Sequence, residues 1–127
     1  MKKTFTNPHP VLFICDYDNQ DMSVPDNIEE HITTCNETCI TVWTQAHVDG
    51  DITVTLSGQI TDADKAGLHH VFTGTIACPN KRLDVTTSEN ENILSLPISA
   101  ESASVNIWVD DLKNPETLLI EGTAFTT

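Results

Sequence analysis

The sequence predicts an all-β protein, one antiparallel β-sandwich of about eight strands spanning residues 1–127 as a single domain. Three observations predict it. Apolar residues recur with period two in several separate segments, and turn residues fall between those segments. A chain of 127 residues, 39% of them hydrophobic, can close one core and not two, since folding at this size buries roughly two-thirds of the unfolded surface.

Val11-Leu12-Phe13-Ile14-Cys15 reads as the first strand, entered from Asn7-Pro8-His9-Pro10. Residues 19–38 are the least readable part, a segment around Val24-Pro25-Asp26 that fits a loop, a short helix or an irregular strand. From residue 39 the alternation is plain. Ile40, Val42, Thr44, Ala46 and Val48 make one mostly apolar face, and Thr41, Trp43, Gln45 and His47 make the other. Asp49-Gly50 then supplies the left-handed conformations of a tight turn, and Ile52, Val54 and Leu56 alternate with Thr53, Thr55 and Ser57, so a hairpin closing at Asp49-Gly50 is the sharpest local expectation. Asp62 to Gly67 is too short and polar for more than a loop or one helical turn.

A further strand begins near His70 and sends Phe72, Ile76 and Cys78 to one side. Gly74 within it marks a bulge or a close backbone approach, and Pro79-Asn80 ends it. Leu83 and Val85 form a short strand, and Leu94, Leu96 and Ile98 form another, with Pro97 marking its edge or its end. Val105, Ile107 and Val109 alternate with Ser104, Asn106 and Trp108. A polar loop from Asp110 to Glu116 leads to the last strand, Leu118 to Ile120.

Nineteen acidic residues against six basic ones leave a net charge of −13. Such a chain repels phosphate backbones, which excludes direct nucleic-acid binding, and it attracts basic protein surfaces. Met1-Lys2-Lys3 looks like the start of a secretory leader, but Asn7-Pro8-His9-Pro10 interrupts it before any apolar run forms. Leu12 stands three before Cys15 as in a lipoprotein box, yet Phe13 and Ile14 are bulky where small residues are needed. No stretch approaches the roughly 18 apolar residues of a membrane span, so the expectation is a cytoplasmic protein without a membrane partner.

The four cysteines lack the paired C-x-x-C of structural zinc. His31, Cys35 and Cys39 would share a face only in a helix that the β-branched Thr33, Thr34, Thr38 and Ile40 disfavour. Free thiols are expected, with Cys15 and Cys78 buried in the core and Cys35 and Cys39 ligating nothing. Asp16, Asp18 and Asp21 invite a calcium reading, but Asp21 stands where the loop requires Gly. No nucleophile elbow, phosphate-binding Gly loop or H-E-x-x-H occurs, so neither an enzyme nor a bound cofactor is expected.

Trp43 and Trp108 both fall on the strand parity that the core does not use. They are candidates for anchors to a partner, with Asp110 and Asp111 setting acid beside Trp108. The competing reading is that a loop folded over the sheet, or burial on both faces, makes each an ordinary packed Trp.

The stretch from Trp43 to Glu121 resembles the competence protein J family, small β-rich bacterial proteins named for an inhibitor of the nuclease of DNA uptake. The resemblance lies in a Val/Ile-rich hairpin around Val48-Asp49-Gly50-Asp51, in Val71-Phe72-Thr73-Gly74-Thr75-Ile76-Ala77-Cys78-Pro79 with Leu83-Asp84-Val85, in Leu94-Ser95-Leu96-Pro97, and in Val105-Asn106-Ile107-Trp108. It implies a single-domain sandwich that works by binding, and it carries over no functional residue. The combined expectation is a non-enzymatic acidic binding protein, an inhibitor or immunity-type partner of a basic protein such as a nuclease, contacting it through Trp43, Trp108, Asp110 and Asp111. The alternative is a carbohydrate- or small-molecule-binding sandwich that stacks its ligand on Trp43 or Trp108, with a calcium-assisted version using Asp16 and Asp18.

Overall fold

An apolar face made by alternation must be covered by a second one. The computed structural model describes residues 1–26, 28 and 31–126. In chain order its strands are Lys2–Phe5 (β1), Val11–Cys15 (β2), Thr33–Cys35 (β3), Cys39–Trp43 (β4), Ile52–Ser57 (β5), His69–Ala77 (β6), Arg82–Thr87 (β7), Asn92–Pro97 (β8), Ser102–Val109 (β9) and Thr117–Ala124 (β10). They form two five-stranded sheets, β1-β5-β10-β9-β6 and β3-β4-β2-β7-β8. Leu12 and Ile14 of β2, Ile40 and Val42 of β4, and Leu83 and Val85 of β7 face Val54 and Leu56 of β5, Val105 and Ile107 of β9, and Leu118 and Ile120 of β10 in one core. Each such side chain contributes roughly 1.5–3 kcal/mol on leaving water.

All eight expected strands are present, and the two-sheet sandwich is as predicted. Pro97 ends β8, which is an edge strand. Gly74 is a close approach: a Cβ there would stand 2.9 Å from the Phe72 ring, while the register shift of β6 lies between His70 and Phe72. Two short edge strands, β1 and β3, are added. The sandwich is not wholly antiparallel, since β10 runs parallel to β5 with Leu118 opposite Val54 and Ile120 opposite Leu56.

The Asp49-Gly50 hairpin does not form. β4 pairs with β2 and β3 in one sheet, whereas β5 pairs with β1 and β10 in the other. The alternation stops at Trp43. Beyond it Thr44 and Gln45 are both buried; the Thr44 amide donates to Pro10 O and the Gln45 amide to Pro115 O, both at 2.9 Å. A single 3-10 turn at His47–Asp49 then carries the chain across to the second sheet. Gly50 does take a positive φ, 125°, but it serves this crossing instead of a two-stranded turn.

Asp62–Lys65 is one helical turn (α1), started by the Thr61 side chain, which accepts from the Asp64 amide. It belongs to the connection from β5 to β6.

Candidate functional site

Trp108 projects from the outer face of β9, between Leu119 of β10 and His70 of β6. Its ring stacks on His70 with centroids 4.9 Å apart and planes 23° apart, and Lys65 of α1 holds its ammonium 4.5 Å from the ring centroid. His70 Nε2 is 3.1 Å from Asn106 Oδ1, which fixes the imidazole beside the indole. The indole is half-buried under this strap, and the cation over its face adds about 0.5–1 kcal/mol.

Trp43 projects from the outer face of the other sheet, opposite Val11. Its Nε1 donates to Ile28 O, which places Ile28 of the connection between β2 and β3 against the indole, and the side chain is half-buried. The structure therefore does not bring Trp43 and Trp108 together. Asp110 and Asp111 follow directly on the Trp108 strand and are exposed. Asp110 Oδ1 accepts from the amides of Glu116 at 2.9 Å and Thr117 at 3.0 Å, and Asp111 Oδ1 accepts from those of Lys113 at 2.8 Å and Asn114 at 3.1 Å. The Asn114 and Lys113 amides hold the Asp111 carboxyl below the usual carboxylate range.

Sequence reasoning missed a second polar constellation, around Arg82. Cys39, Cys15 and Asp84 lie side by side across β4, β2 and β7, on the face away from the core, and all three are fully buried. Asp84 accepts from Arg82 Nε at 2.7 Å, from Arg82 Nη2 at 3.1 Å and from the Tyr17 amide at 2.8 Å. Arg82 also donates to Asp18 at 2.6 Å, and these carboxylates, Asp84 first, raise its pKa. Asp16 accepts from the Asn80 amide at 2.7 Å. The two carboxylates of the calcium-assisted reading are thus engaged by Arg82 and Asn80. The signal was available: Arg82 is the only arginine in a chain with nineteen acidic residues.

Cys78 is buried in the core, as expected; Cys15 is buried too, but on the outer face of its sheet, because the core parity of β2 belongs to Leu12 and Ile14; Cys39 is buried against Cys15, and Cys35 is exposed. The neighbouring Cys15 thiol, together with burial, pushes the Cys39 thiol up, and Cys39 Sγ donates to Ile40 O at 3.7 Å. Among the described residues no three His, Cys, Asp or Glu side chains are placed to hold a metal ion. An open groove of about 650 Å³ lies on the outer face of the first sheet, floored by Thr4, Thr53, Thr55, Thr117 and Leu119 and walled by Asp64. Among the described residues no helix is long and apolar enough to cross a membrane.

Fold and surface together define a two-sheet acidic scaffold with a connection strapped over each outer face and half-buried tryptophans beneath. No protein-family model matches the chain and no curated protein matches its sequence. Among solved structures it is similar to ComJ of Bacillus subtilis, described as the inhibitor of the DNA-degrading activity of NucA. The two share a TM-score of 0.67 over 98% of this chain and 96% of ComJ, at 10% sequence identity. The fold is ComJ-like over the whole described chain.

Proposed function

We propose that this protein is a non-enzymatic inhibitor whose partner is a basic protein, a nuclease in the first instance. The observation that carries the proposal is the full-length likeness to ComJ, and the charge of −13 supports it, because an acidic surface accelerates encounter with a nuclease's cationic DNA-binding channel. In this reading Trp108, Asp110 and Asp111, which share one strand and the loop after it, lie on the partner side. Trp43, under its own loop on the far sheet, supports the fold of that loop. The reading places the protein in the cytoplasm, where its thiols stay reduced.

The test is a DNA-degradation assay with a panel of basic nucleases headed by NucA, run with and without the purified chain at low and physiological salt. Inhibition that weakens as salt rises is the expected result. Absence of both inhibition and complex formation across the panel would reject the proposal.

The threonine-floored groove favours a second reading, a module that binds a small polyhydroxylated ligand. Titration calorimetry with simple glycans, with and without calcium, separates the two; heat of binding with glycan and none with nuclease would favour the second.

A further inference from the structure

We infer that the partner docks on the end of the sandwich where the 44–51 and 110–116 loops meet, with Val48 and Leu112 as the apolar contacts and the surrounding carboxylates facing a basic surface that offers an apolar recess. This rests on the inhibitor reading above. Val48 is 77% exposed and Leu112 54% exposed, so neither contributes to the core. Single exposed apolar side chains need no explanation. Here two occupy adjoining loops at one end, while Met1, Tyr17, Val24 and Phe125, also exposed, belong to other loops and to the terminal segments.

The loops are tied to one another and are set before any partner arrives. Gln45 donates its amide to Pro115 O at 2.9 Å, Thr53 donates its amide to Glu116 O at 2.8 Å, and Gln45 Nε2 donates to Asp51 O at 2.8 Å. Asp110 and Asp111 each spend only Oδ1 on the loop, so among the described residues each keeps Oδ2 free of an internal hydrogen bond. Asp49, Asp51 and Glu116 add exposed acid, against Lys113 in the same loops. Exposed apolar side chains and carboxylates that share two loops tied together by hydrogen bonds spend little entropy on binding and suit a cationic protein surface.

Two pairs of variants separate the parts. Val48→Ala with Leu112→Ala removes the apolar contact. Asp110→Asn with Asp111→Asn removes charge but keeps the Oδ1 acceptors that hold the loop, so folding is preserved; circular dichroism checks both. Association and dissociation rates with NucA are measured across a salt series, and carbodiimide coupling of carboxylates to partner lysines maps the contact. The expected results are a dissociation rate at least tenfold higher for the alanine pair, a several-fold slower association with a flatter salt dependence for the asparagine pair, and coupling at this end. A complex that forms with unchanged rates in both pairs, or couples through another face, overturns this surface and leaves the inhibitor reading intact. No complex with NucA or the other basic nucleases overturns both.

Discussion

Asp84 is a fully buried carboxylate whose three donors include the chain's only guanidinium. The pair is asymmetric, because the Arg82 side chain is 29% exposed and reaches on to Asp18. Removing the buried member leaves the Tyr17 amide and Arg82 short of an acceptor, so Asp84→Ala is expected to cost about 3 kcal/mol, read as a lower urea midpoint. The thiols give a pH test at the same scale. Burial, with the charge of Asp16 next, pushes the Cys78 thiol up to about 12 from an ordinary value of 9.0. A raised folded pKa means that the stabilisation is complete below about pH 9 and is lost as pH rises toward 12, with a slope from this group of about 1.4 kcal/mol per pH unit. Denaturation series between pH 8 and pH 11 should show that decline, and Cys78→Ala should flatten it. Thiol titration of the native protein should find Cys35 first, with the other three reacting only after denaturation.

At the scale of elements, Gly122 of β10 packs directly against Leu83 of the opposite sheet. A Cβ there would collide with Leu83 Cδ2, and Leu83 is fully buried. Gly122→Ala should destabilise by about 1–3 kcal/mol through overpacking, measured by thermal melting. Lys65→Ala should uncover Trp108, and its fluorescence should become more accessible to acrylamide while the fold is retained. The strands themselves were legible because their signals are local: β5 through β10 sit within a few residues of where the period-two pattern puts them, and β2 sits on the continuous apolar run Val11-Leu12-Phe13-Ile14-Cys15. Pairing is not local. Asp49-Gly50 has the composition of a tight turn, yet Thr44 and Gln45 find partners in Pro10 and Pro115, far away in sequence, and those bonds send the chain to the other sheet. The covering of Trp43 was hidden for a related reason. It depends on where the connection from β2 to β3 lies, and that segment has no periodicity to read. Asp110 and Asp111 were identified as acid beside an indole; their role in shaping the loop through Oδ1 could not be seen without the backbone.

For the whole molecule the dominant quantity is charge. Thirteen excess negative charges on 127 residues repel one another in the folded state, so raising sodium chloride from about 10 mM to 150 mM should raise the melting temperature, since the screening length shortens to about 8 Å. A flat response would mean that the carboxylates are already neutralised by local partners, as Asp84 is. The parallel pairing of β10 with β5 governs something else, the order of events during synthesis. β10 occupies the third place of its sheet, with β5 on one side and β9 on the other, yet among the described strands it is made after all the others. While residues 117–124 are still inside the ribosome, β5 and β9 wait with a strand-wide gap between them and apolar faces uncovered. Elongation at about 5–20 residues per second makes that wait a matter of seconds. A nascent-chain protease assay should find the first sheet open until β10 emerges and resistant soon afterwards.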